Sequence, residues 1–80
     1  MWLGDNMLIK CVFPDDLIKK PLIYELNTKF AVITNIEKAD ITFASGWVTF
    51  RITGEEQEIK NSIDWLEQTG IKVEVLERGD

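Results

Sequence analysis

The chain has 80 residues, with 9 Lys+Arg against 14 Asp+Glu, no His and one Cys, and its net charge is −5. At 45% apolar content it suits one compact domain and leaves no room for two. A pI near 4.6 argues against a phosphate-binding basic face, and the missing His excludes a Cys/His zinc site and any Ser–His or Cys–His pair.

One thiol makes no intramolecular disulfide, which points to a reducing, cytoplasmic setting. No apolar run approaches the roughly 18 residues of a membrane span, and Met1–Met7 lacks the basic start and apolar stretch of a secretory signal. The composition therefore predicts a domain that is not an enzyme, with no metal and no cofactor.

Met7–Phe13 reads as a first strand, with Ile9, Cys11 and Phe13 on one face and Leu8, Lys10 and Val12 on the other. Pro14-Asp15-Asp16 turns the chain, and Asp15–Lys19 reads as an irregular lead-in. Proline is harmless at the first helical position and costly further in, so helix one is expected to start at Lys20 or Pro21. Leu22, Ile23, Leu26 and Phe30 form its inward stripe, while Tyr24, Glu25 and Lys29 point outward.

From Ala31 to Ala44 a connection leads into a long strand, where Ala39, Ile41 and Phe43 alternate with Lys38, Asp40 and Thr42. Traced backward, this phase puts Glu37 and Asn35 on the apolar face and leaves Ile33 and Ile36 out of step. A bulge or bend near Ile36 would resolve the conflict. Ser45-Gly46 reads as a hairpin turn, and strand three, Trp47–Thr53, sends Val48, Phe50 and Ile52 inward. Trp47, Thr49 and Arg51 face the other way.

Helix two follows Thr53 and Glu56, which have capping-box spacing, with Glu55, Glu56 and Glu58 at its positive end. Ile59, Ile63 and Leu66 are its buried stripe and Gly70 its stop. Ile71, Val73 and Val75 alternate with Lys72, Glu74 and Leu76 in a last strand, before a polar tail at Glu77–Asp80. The order β-α-β-β-α-β is the ferredoxin-like α+β sandwich: a four-stranded antiparallel sheet with both helices on one face. Strands one and three are expected to be central. The opposite face carries Leu8, Val12 and Trp47, apolar enough to want a partner.

Several of these features together resemble the NIL domain family. They are Phe13-Pro14, the Pro21-Leu22-Ile23 helix start, Asn35-Ile36, and the Gly46 turn into an alternating strand. Thr53-Gly54-Glu55 and the closing Gly70-Ile71-Lys72-Val73-Glu74-Val75-Leu76 complete the set. The likeness runs from about Ile9 to Leu76, so 1–8 reads as an extension with the start of strand one, 9–76 as the domain and 77–80 as a tail.

The resemblance implies a ferredoxin-like regulatory domain, known at the C-terminus of methionine-importer ATPase subunits, where paired domains bind methionine. It also occurs fused to iron–sulfur ferredoxin modules; this chain carries neither an ATPase portion nor their cysteine clusters and reads as the domain alone. The naming motif Asn-Ile-Leu appears here as Asn35-Ile36-Glu37. Ligand binding by Asn35, Ile36 and Glu37 at a homodimer interface is what the family implies.

From the residues alone, the Asn35 amide suits either an amino acid's charged groups or the backbone of a bent strand. Val12, Trp47 and Arg51 share the open face as candidate interface residues. Cys11 reads as a small buried hydrophobe, and the acids at Asp15 and Asp16 as turn residues without a third ligand. The alternative function is a protein-interaction module that docks an unidentified partner without a small ligand.

Overall fold

The computed structural model describes residues 5–14, 16–17, 20–42 and 46–79. Its elements are β1 (Asp5–Phe13), α1 (Leu22–Lys29), β2 (Val32–Ile41), β3 (Gly46–Gly54), α2 (Glu56–Thr69) and β4 (Lys72–Gly79). The sheet runs β2-β3-β1-β4 with every neighbouring pair antiparallel, so β1 and β3 are central, as the ferredoxin-like order requires.

Period-two alternation sorts the central strands. Met7, Ile9, Cys11 and Phe13 of β1 are buried and pair with Ile52, Phe50, Val48 and Gly46 of β3, and partners in an antiparallel pair project to the same side. One core cluster joins these residues to Leu22 and Leu26 of α1 and to Ile59 and Leu66 of α2. Both helices therefore cover the same face, and among the described residues no helix covers the other.

Pro21 stands just before α1 as its N-cap, at φ −79, consistent with a ring that fixes the entry angle. Within the helix Leu22 and Leu26 are buried, Ile23 and Phe30 half-buried, and Tyr24 and Lys29 exposed. Leu17, inside the segment read as a lead-in, is buried and packs beneath Gly70.

The expected capping box does not form. Thr53 is a residue of β3, paired with Asn6 and Ile33, and the N-cap of α2 is Glu55, which makes no side-chain cap. Acids in the first turn still complement the helix dipole. Glu56 pairs with Lys60 at 2.9 Å, which holds its carboxyl below the usual range. Glu58 accepts a hydrogen bond at 2.8 Å from the Ala31 amide and so ties α2 to the start of β2.

At the other end Gly70 adopts the left-handed conformation at φ 107. Its N–H donates to Glu67 O, and the Ile71 N–H donates to Leu66 O, both at 3.1 Å. This is the Schellman stop, with Ile71 and Leu66 both buried beside it.

β4 continues to Gly79, so Glu77 and Arg78 belong to the strand rather than to a polar tail; they pair with Leu8 and Met7. β1 likewise starts at Asp5, inside the stretch read as an extension. The readings placed on Asp15, Lys19, Phe43, Ala44 and Ser45 lie outside the described residues.

Candidate functional site

The irregularity expected near Ile36 is a bulge at Glu37. Ile36 pairs with Phe50 and Lys38 with Thr49, leaving Glu37 as the extra residue of β2. The bulge reverses the backward-traced phase: Asn35 opposes Arg51 on the open face, and Ile36 sits with Phe50 on the helix face, 58% exposed at the sheet edge. A second register shift between Leu8 and Ile9 makes Leu76 the extra residue of β4.

The register sets out the open face as rows of neighbours. One row reads Asn35–Arg51–Leu8–Glu77, the next Lys38–Thr49–Lys10–Glu74, and the third Asp40–Trp47–Val12–Lys72. Among the sequence candidates, Asn35, Arg51, Val12 and Trp47 thus share one surface. Glu37 joins them through its side chain, and Ile36 alone projects to the far side.

Arg51 binds the face together. Its Nη1 donates to Asn6 Oδ1 at 2.8 Å, and Nε and Nη2 reach Glu37 Oε2 and Glu77 Oε1, each at 3.3 Å. One guanidinium on β3 thereby touches β1, β2 and β4. The Glu77 carboxylate, with that of Glu37, raises Arg51 above its ordinary pKa. Periodicity placed Arg51 on this face, yet its partners depend on the register between strands, which no single strand's pattern reports.

In the middle row, Lys10 Nζ lies 5.1 Å from the centre of the half-buried Trp47 ring, a cation–π contact. A depression of about 430 Å³ opens here, lined by Leu8, Lys10, Lys38, Trp47, Thr49 and Leu76 together with Glu37 and Glu74. Sequence reasoning put Thr49 and Lys10 on this face but gave them no role.

On the helix side, a cavity of about 190 Å³ lies among Phe13, Leu22, Ile23, Ile41 and Val48, with Lys20 beside it. None of the sequence candidates lines it. Cys11 is fully buried, and loss of solvent pushes its thiol up to about 12, which makes it an inert part of the core at neutral pH. Among the described residues no group of three or more His, Cys, Asp or Glu could hold a metal ion, and no helix is long and apolar enough to cross a membrane.

The family model of the NIL domain matches residues 7–75. The chain belongs to the NIL domain family. A similar solved structure is the C-terminal domain of an ABC transporter ATP-binding protein from Enterococcus faecalis, with TM-score 0.79 and 23% identity over 88% of this chain and 82% of that one. A de novo designed protein, Foldit4, shares the fold at TM-score 0.62 and 13% identity over 98% of both chains. At these identities the two structures speak for the fold alone. No curated protein matches the chain in sequence. The NIL match covers β1 from Met7 through Val75 of β4, so the open face lies within the family's span except for its margin at Asn6, Leu76 and Glu77.

Proposed function

We propose that this NIL domain is a non-catalytic regulatory domain that binds a small amino acid such as methionine on the open face, between two copies of the chain. One observation carries the reading: Asn35, the asparagine of the family motif, stands opposite Arg51 on an uncovered sheet face that also holds Val12 and Trp47. Membership of the family supports it, as does a fold shared with the C-terminal domain of a transporter ATPase. Glu37 reaches the same face, whereas Ile36 contributes only through its main chain. The cytoplasm is the setting that fits a domain of this kind. Ligand binding would act by favouring the associated state, through its higher affinity for that state.

Titration with methionine, cysteine and homocysteine, followed by calorimetry and by sedimentation, tests this. Saturable methionine binding that strengthens association and falls about tenfold or more in Asn35→Ala supports the reading. A folded protein that binds none of the three at millimolar concentration overturns it.

The Arg51–Glu37 pair favours a second reading, protein docking without a small ligand, because it engages the acid that stands at the family's leucine position. A purified partner that binds equally well with and without methionine would choose it.

A further inference from the structure

The two outer strands of the open face carry opposite charge patterns at the same level. On β2 the order is Lys38 and then Asp40; on β4, Glu74 stands in the Lys38 row and Lys72 in the Asp40 row. All four residues are exposed, and none forms an ion pair with a described residue. They cannot pair across their own sheet, because three interstrand spacings hold the two borders roughly 14 Å apart. Each border is instead the electrostatic complement of the opposite border on a second copy.

The rest of the face favours such a copy over a partner of one charge sign. Lys10, Lys38, Arg51 and Lys72 balance Glu37, Asp40, Glu74 and Glu77 there, while the chain as a whole carries −5. The excess negative charge that drives two copies apart thus lies elsewhere. A strongly acidic or strongly basic partner would meet four charges of its own sign.

In aligned face-to-face packing, a two-fold axis runs either along the strands or across them. An axis along the strands lays β2 over β4 of the second copy and β3 over its β1. Lys38 then meets Glu74 of that copy and Asp40 meets its Lys72, each twice by symmetry, while Trp47 lies over Val12. An axis across the strands through the middle row stacks Lys38, Lys10 and Glu74 each on its own counterpart, three contacts between like charges. Moved by half a row, that axis pairs Lys38 with Asp40 but carries the Asn35–Arg51–Leu8–Glu77 row past the last row of the other sheet.

We propose that two copies pair through their open faces about an axis along the strands, held in register by Lys38 on Glu74 and Asp40 on Lys72. The proposal rests on the two-copy part of the reading above and does not depend on the amino acid.

Two charge-exchanged proteins, K38E/D40K and K72E/E74K, test it, and both keep the net charge of the wild type. Each is first checked for the dispersed amide spectrum of a folded chain. Sedimentation equilibrium at low salt, with and without methionine, should show wild-type dimers and association weaker by about tenfold or more in either exchanged protein alone. Mixed together, the two should form a one-to-one complex as strong as the wild-type dimer.

If K38E/D40K alone dimerises as tightly as wild type, the axis does not run along the strands; the pairing falls and the two-copy reading stands. Loss in both proteins without recovery on mixing has the same consequence. Should the mixture recover while methionine binds nowhere, the pairing holds and the amino-acid reading falls. A folded wild type that stays monomeric at millimolar concentration, with and without methionine, overturns the proposal.

Discussion

Arg51 and Glu37 meet across the β3–β2 pair at 3.3 Å, at the position where β2 carries its extra residue. The bulge and the ion pair belong together, since the unpaired residue is the one free to lean toward the guanidinium. Arg51→Met removes this contact along with those to Asn6 and Glu77, and Glu37→Leu removes it alone. Thermal melts should show a larger loss for Arg51→Met than for Glu37→Leu. Both losses should shrink in high salt, because partly exposed ion pairs are screened. Equal losses for the two variants would mean that Arg51 does not couple the strands.

Cys11 gives the fold a dependence on alkaline pH. Burial lifts its thiol from 9.0 to about 12, so the folded state holds this proton more tightly than the unfolded chain does. Its stabilising contribution is complete below about pH 9 and is lost as pH rises toward 12, at a slope of about 1.4 kcal/mol per pH unit. Urea unfolding of the wild type and of Cys11→Val, measured from pH 8 to 10.5, isolates this contribution, estimated at about 1–2 kcal/mol by the upper end. Parallel curves for the two proteins would refute it.

Gly70 should tolerate no side chain without loss. At φ 107 an alanine adopts a backbone conformation that costs an L-residue about 1–2 kcal/mol, and its Cβ would also touch Leu17 Cδ1 at 3.4 Å. Chemical denaturation of Gly70→Ala is expected to show a fall of that order with an unchanged m-value. A neutral result would mean that the helix stop rearranges freely.

Glu58 makes a local prediction. Its carboxylate accepts the Ala31 N–H at 2.8 Å, joining α2 to the chain just before β2. Glu58→Ala should cost about 1 kcal/mol and speed hydrogen exchange at Ala31 more than at core amides such as Phe50. Uniform acceleration across the sheet would point instead to global destabilisation.

Much of this fold can be read from periodicity. The strands of the central pair show their buried faces because Ile9 and Cys11, and Val48, Phe50 and Ile52, recur at every second position about Lys10, Thr49 and Arg51. The bulge in β2 announced itself as a conflict of phase between Ile36 and Ile41. The capping box misled because Thr-x-x-Glu spacing says nothing about whether the threonine has left its strand. Glu77 and Arg78 looked like a tail because an edge residue facing water carries no apolar signal, although the ladder pairs it with β1. For the open face, single-strand patterns gave membership but not neighbourhood. That Lys10 and Lys38 flank one threonine is a property of register, set by two strand pairings at once.

The paired irregularities at Glu37 and Leu76 have a bearing on how the molecule keeps company. They sit on the two outer strands, next to the same Ile36–Phe50–Ile9–Val75 row, and each crimps a border of hydrogen-bonding groups that would otherwise run straight. A straight border invites another chain to zip on, then a third, until fibres grow. Crimped on both sides at one level, this sheet makes a poor template for endless side-by-side growth.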